Sequence, residues 1–248
     1  MAFDTQRGAW THAQADVAEI DAGLRQYMLR VYNYMASGLA LPGIVAALVA
    51  GSPAINALFF QIGLRGGLQP TVLGWIAIIA PVVMVFGLSM GIGRMRAGTA
   101  QGLFWVYAAL MGVSLSTLLL AYTGASGTRV FFISAASFAG LSLYGYTTRK
   151  NLSAFGSFLV MGLFGLIIAS VVNLFVASSM LYFVISVAGV GIFAGLTAWD
   201  TQKIKEMYWA GDDSETAGKK AVMGALTLYL DFINLFIMLM RLLGDRRQ

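Results

Sequence analysis

Between Asn151 and Trp199 the chain carries no charged residue, and this restricts the folds open to it more than any other feature. At about 1.5 Å per residue the stretch would form a helix more than twice as long as the roughly 30 Å hydrocarbon core of a bilayer is thick. It therefore reads as two spans, broken at the small, polar "ASS" of residues 177–179, with helices near 154–176 and 181–202. Irregular backbone facing lipid would leave its polar groups unsatisfied, so the other apolar windows are read as helices too. They run from Val31 to Ala50, Thr71 to Gly93, Gly102 to Thr123, Val130 to Thr148 and about Ala221 to Arg241. The pattern predicts an all-α membrane protein with seven transmembrane helices over residues 31–243. A polar tail (1–30) precedes them and a short basic tail (244–248) follows.

Composition agrees. Of the 248 residues 58% are hydrophobic and 11% charged, and the mean hydropathy is +0.77, well beyond what a soluble core of this size requires. The absence of cysteine excludes disulfides, thiol catalysis and cysteine zinc sites, and the single histidine, His12, lies in the polar tail. No glycine cluster leads into Lys-Ser or Lys-Thr as a phosphate loop would. Neither an enzyme nor a resident cofactor is expected. The first 30 residues lack the basic start and short apolar core of a secretory signal. Pairs such as Gly87 with Gly91, Gly98 with Gly102, and Gly191 with Gly195 have the spacing of close helix packing.

The net charge of +5 does not point to nucleic acid, because the basic residues sit in short connectors rather than one patch. Cytoplasmic loops carry the excess of Lys and Arg. Arg7, Arg25, Arg30, Arg94, Arg96, Arg149, Lys150, Lys203, Lys205, Lys219 and Lys220 fall on the N-terminal side, 11 of the 16. Arg65, Arg129, Arg241, Arg246 and Arg247 fall on the other. The N-terminus is therefore expected in the cytoplasm and the C-terminus outside, in an inner (cell) membrane. A re-entrant last segment, returning the basic tail to the cytoplasm, is the alternative. The segment "DVAEIDAGLRQYMLRVY" (16–32) reads as a solvated helix along the membrane or a docking element.

Of 11 acidic residues only Asp200 and Asp231 fall within or against an apolar span. A central Asp costs about 2.5–3.5 kcal/mol on insertion scales, so an intramembrane carboxylate is by default functional and faces the bundle interior. Thr197 lies three residues before Asp200, Thr227 four before Asp231, and Asn234 three after it, so each shares a helix face with its acid and forms a polar seam. From the expected windows the two acids meet only if the helix starts slide by about two turns.

"GLTAWDTQKIK" (195–205), "ALTLYLDFINLFIMLMRLLG" (225–244) and "LSLYGYTTRKNLSAFG" (141–156) resemble segments of the transmembrane Bax inhibitor motif family, in its bacterial, YccA-like branch. The likeness covers the chain from about Leu24 to Arg247. It implies a seven-helix fold with the last helix central and surrounded by the other six, and a pH-sensitive calcium leak channel. By motif, the family's paired aspartates, a di-aspartyl pH sensor, correspond to Asp200 and Asp231. A basic latch at the end of span two corresponds to Arg94 or Arg96. Trp199 stands where the family usually has tyrosine.

The physical reading agrees with that resemblance. Two carboxylates about 4 Å apart repel by roughly 4 kcal/mol at an effective dielectric of 20, which favours keeping one shared proton. Protonated, they clamp span six to span seven; deprotonated, they separate and offer a weak, transient calcium site, since calcium wants about 6 to 8 oxygens. The partners expected are the lipid bilayer, calcium ions and protons, with no nucleic acid. An intramembrane aspartyl protease is disfavoured because Asp231 follows "LYL" rather than Gly-x-Gly and all four prolines lie at or before Pro81. A retinal pump lacks its buried lysine, since every lysine lies at a helix end or in a loop. The remaining alternative is a regulatory membrane protein that restrains a membrane protease or stress and cell-death machinery without transport.

Overall fold

The uncharged run breaks where its small residues are. Ala177 takes the left-handed conformation at φ 51°, Ser178 caps the following helix by accepting from the Leu181 amide at 3.2 Å, and the Asn173 side chain accepts from the Ser178 amide at 3.0 Å. The computed structural model describes the backbone of residues 2–63 and 68–247 and the side chains of 21–63 and 69–247. Arg65 lies outside the described residues, as do the side chains of Arg7, His12 and the acids before Asp21.

The elements in order are α1 (Ala2–Gly51), α2 (Pro53–Phe59), β1 (Phe60–Ile62), β2 (Leu68–Pro70), α3 (Val72–Gly91), α4 (Ala97–Ala121), α5 (Gly124–Thr147), α6 (Ser153–Val176), α7 (Ser179–Glu206) and α8 (Ser214–Leu243). Among the described residues seven are long and apolar enough to cross a bilayer: α1 from Asp21, then α3 to α8. Span six is therefore α7, and span seven is α8. The short α2 and the antiparallel β1–β2 pair, which the sequence reading did not anticipate, fill the connection between the first two spans.

Span one begins earlier than Val31. Residues 16–32 belong to the same unbroken helix, and Tyr27, Met28 and Val31 recur at helical spacing and bury in the core. The expectation of a solvated helix along the membrane is thereby corrected: over residues 21–32 one face of the segment is core.

The most enclosed span is α8. Of its apolar window 61% is buried, against at most 33% in any other span. It packs on α1, α4, α5 and α7, whereas α3 packs on α4 and α6 on α7. Four spans thus line it closely, rather than all six. The spare glycine pairs are also corrected. Of those six residues only Gly195 meets another span, against Leu159 and Phe155, while the tight backbone approaches between spans are Gly112 on Pro42 and Gly145 on Ala198.

The last helix, 30 residues long, runs from one end of the bundle to the other. Beyond it, the Thr123 amide donates to the Asp245 carbonyl at 2.9 Å and the Arg247 amide to Ala121 at 3.0 Å. The C-terminal tail is thus pinned to the α4–α5 connector, at the opposite end of the bundle from the α7–α8 loop. This overturns the re-entrant alternative.

Candidate functional site

The α7–α8 seam can be indexed from its close approaches. Gly224 lies against Ile204, and Gly189 against Met238, leaving no room for an added methyl without displacement. Interpolating between these contacts sets Asp200 opposite Leu228 and Asp231 opposite Thr197, so the two acids are about one turn apart along the seam. Aspartate side chains bridge such an offset, and the carboxyls of Asp200 and Asp231 lie within hydrogen-bond reach of each other. The slide that the sequence demanded is met because α8, which begins at Ser214 rather than Ala221, projects about two turns beyond the end of α7 at Glu206. Its Lys220 ammonium binds the Met207 carbonyl at 2.9 Å, at the end of α7, and Asp212 at 2.5 Å.

Asp200 is 8% exposed and Asp231 5%. Among the described residues neither takes part in an ion pair, and the Oδ2 of Asp231 is buried without a hydrogen-bond partner. The cation whose charge acts on Asp200 is Lys203, which sits one turn further along α7 with its ammonium 5.0 Å from the Trp199 ring centre. That indole lies flat against Gly156 of α6, which has no side chain to obstruct it.

A cavity of about 590 Å³ opens between α6, α7 and α8. Asp200, Thr227, Asp231 and Asn234 line its α7–α8 side, while Leu163, Ile167 and Leu174 make up much of its α6 side. Thr197 is fully buried and stands outside the lining. The seam hydroxyls are partly committed: Thr197 donates to Phe193 at 2.8 Å, Thr227 to Met223 at 3.0 Å, and the Asn234 amide nitrogen to Leu230 at 2.9 Å. Each remains able to accept, and the Asn234 amide oxygen is available as a ligand. Among the described residues no three His, Cys, Asp or Glu side chains cluster. The arrangement suits brief cation contact rather than tight storage.

Arg94 and Arg96 are not brought to the pair. Both are exposed in the α3–α4 connector; α3 packs on α4 rather than on α7. The expected latch is absent from this conformation. The sequence reading also missed a polar bridge beside the pair. Tyr32 hydrogen-bonds Ser142 at 2.6 Å, and Ser142 hydrogen-bonds Thr201 at 3.0 Å, joining α1, α5 and α7 next to Asp200. Gln202 accepts from Leu152 and donates to Lys150, both at 2.8 Å, tying α7 to the α5–α6 connector. Thr201 could have been suspected, because it shares a helix face with Thr197 four residues earlier; Tyr32 and Ser142 offer no such signal.

Fold and site together define a multi-pass helical membrane protein with a buried acid pair between its last two spans. The family model described as "Inhibitor of apoptosis-promoting Bax1" matches residues 24–248, and the chain belongs to this Bax inhibitor-like family. It is similar to the uncharacterized protein RP147 of Rickettsia prowazekii, 52% identical over 92% of each chain. It is 44% identical to the inner membrane protein YbhL of Escherichia coli, over 91% of this chain and 94% of the relative. An uncharacterized membrane protein of Streptococcus pyogenes, SpyM3_0260, is 36% identical over 90% and 94%.

Proposed function

We propose that the protein is a pH-sensitive calcium leak channel gated by protonation of Asp200 and Asp231. The observation that carries this reading is the pairing of two buried carboxyls from adjacent spans at the wall of one cavity, with one Asp231 oxygen left unpartnered. With a proton shared, one acid donates to the other and the α7–α8 seam stays closed. With both ionised, two like charges roughly 4 Å apart at an effective dielectric of 20 oppose closure by about 4 kcal/mol, near a thousandfold in the open-to-closed ratio. The freed oxygens, with Asn234 and Thr227, then offer a passing cation a weak site. In this reading no resident cofactor or metal takes part, and no bond is made or broken. Calcium and protons are what the seam handles.

Calcium entry into liposomes holding only this protein tests the proposal across pH. Flux is expected to rise with pH, and Asp200→Asn or Asp231→Asn to flatten that dependence, with the double change adding little. Wild-type pH dependence in both single variants would refute the gate. On the distribution of basic residues we also place the N-terminus in the cytoplasm; reporter fusions at each end decide this, and accessibility of both ends from one side would contradict it.

A regulatory reading is supported by a different surface. Gln26, Arg30, Asn33 and Ser37 form an exposed polar stripe on α1, beside Trp105. Such a stripe suits a membrane protein partner, a protease or stress component among them, and the family description names an inhibitor. If liposomes show no flux, this reading takes first place.

A further inference from the structure

Spans α1 and α5 both pack on α8 but barely on each other. The separation leaves a lateral cleft at the bundle end that carries Arg25 and Lys205, with a cavity of about 530 Å³. That is within the roughly 300–1,000 Å³ of ligand clefts. Its walls are apolar, from Leu29 on α1 and Phe138, Ala139 and Leu143 on α5. Its rim is not. Arg25 stands at the mouth, exposed and, among the described residues, in no ion pair. Lys205 reaches across from α7, donating to the Tyr146 carbonyl at 2.8 Å with its ammonium 5.7 Å from the Tyr146 ring centre, and Tyr146 itself lines the cleft. An ammonium has three donors, so two remain for a ligand. Arg149 and Lys150 follow in the exposed connector. Asp21 and Glu206 are the acids adjacent in sequence, which leaves the rim with an excess of positive charge.

A bilayer offers one molecule with this distribution of chemistry. We propose that the cleft seats an anionic phospholipid, one acyl chain lying between Leu29 and Leu143 and the phosphate held by Arg25 and Lys205. The long basic stems suit the position, since they lie along apolar surface and raise their charges to headgroup level. A zwitterionic lipid has the same tails, yet its own ammonium competes with the rim cations for the phosphate. The lipid would also touch the polar bridge, because Tyr32 and Ser142 both line the cleft and Ser142 bonds Thr201, the residue after Asp200. Occupancy would thus steady α7 beside the acid pair, although lipid binding itself does not depend on the channel reading.

Native mass spectrometry of the full chain, exchanged into detergent with equal phosphatidylglycerol and phosphatidylcholine, tests the site. Wild type is expected to retain the anionic lipid over the zwitterionic one by about fivefold or more. Arg25→Gln should bring the ratio near one, and Arg25→Gln with Lys205→Gln should do so fully. Ala139→Trp, on an exposed cleft wall, should lose tightly held lipid of either kind. Arg94→Gln, exposed in a different connector, should leave the ratio unchanged. Equal retention of both lipids by wild type overturns the proposal, as does a preference that survives Arg25→Gln and Ala139→Trp. Displacement of the lipid by millimolar inorganic phosphate alone would assign the cations to a soluble anion and also overturn it.

Discussion

Gly145→Ala tests whether α5 holds α7 in the position that brings Asp200 to Asp231. A methyl on Gly145 would lie 2.1 Å from the Ala198 carbonyl oxygen and 2.8 Å from its carbon, and both atoms are backbone that no rotamer change can move. Restoring an ordinary contact near 3.4 Å from 2.1 Å requires the helices to part by more than 1 Å. One turn away on the same two faces, Ser142 and Thr201 share a hydrogen bond of 3.0 Å, and that parting breaks it. Overpacking costs about 1–3 kcal/mol and a lost interhelical hydrogen bond in a membrane about 0.6–1.7, so destabilisation of roughly 2–4 kcal/mol is expected. Thermal or denaturant unfolding in detergent, followed by circular dichroism, reads it directly. The same displacement should loosen the acid pair and alter the pH response of calcium flux. Wild-type stability together with unaltered flux would refute the claim that the α5–α7 contact positions the pair, and would mean that α8 alone does so.

Ala177→Gly should stabilise the protein by about 0.5–1 kcal/mol, because Ala177 pays for a left-handed conformation that glycine adopts freely; the same unfolding assay checks it, and a loss of stability would contradict the assigned backbone. Asp213, the N-cap of α8, accepts from the Thr216 amide at 3.1 Å, and its hydrogen bonds with Thr216 lower its pKa below the ordinary Asp value. The folded-state pKa is depressed, so the stabilisation is present above the unfolded value and fades as pH falls through the folded one. Asp213→Ala should therefore lower the melting temperature at neutral pH and progressively less toward acid; an equal loss at all pH values would show that the cap does not act through its charge.

How much of this was legible beforehand differs by residue. The seven spans, the break at 177–179 and the two acids as the candidate site were all readable from hydropathy and charge, because the cost of placing each side chain in hydrocarbon is set locally and accumulates along the chain. The glycine spacing misled, since Gly191 faces open space while unpaired Gly145 carries a backbone contact. Small-residue spacing marks faces that can pack, not faces that do. That Asp200 and Asp231 actually meet, that Arg94 and Arg96 stay apart from them, and that Tyr32, Ser142 and Thr201 join three spans beside them were decided only by the tertiary structure. The axial register of two antiparallel helices is fixed by close approaches such as Gly224 on Ile204 and Gly189 on Met238. Those contacts join residues distant in sequence, and no property of either helix alone encodes them.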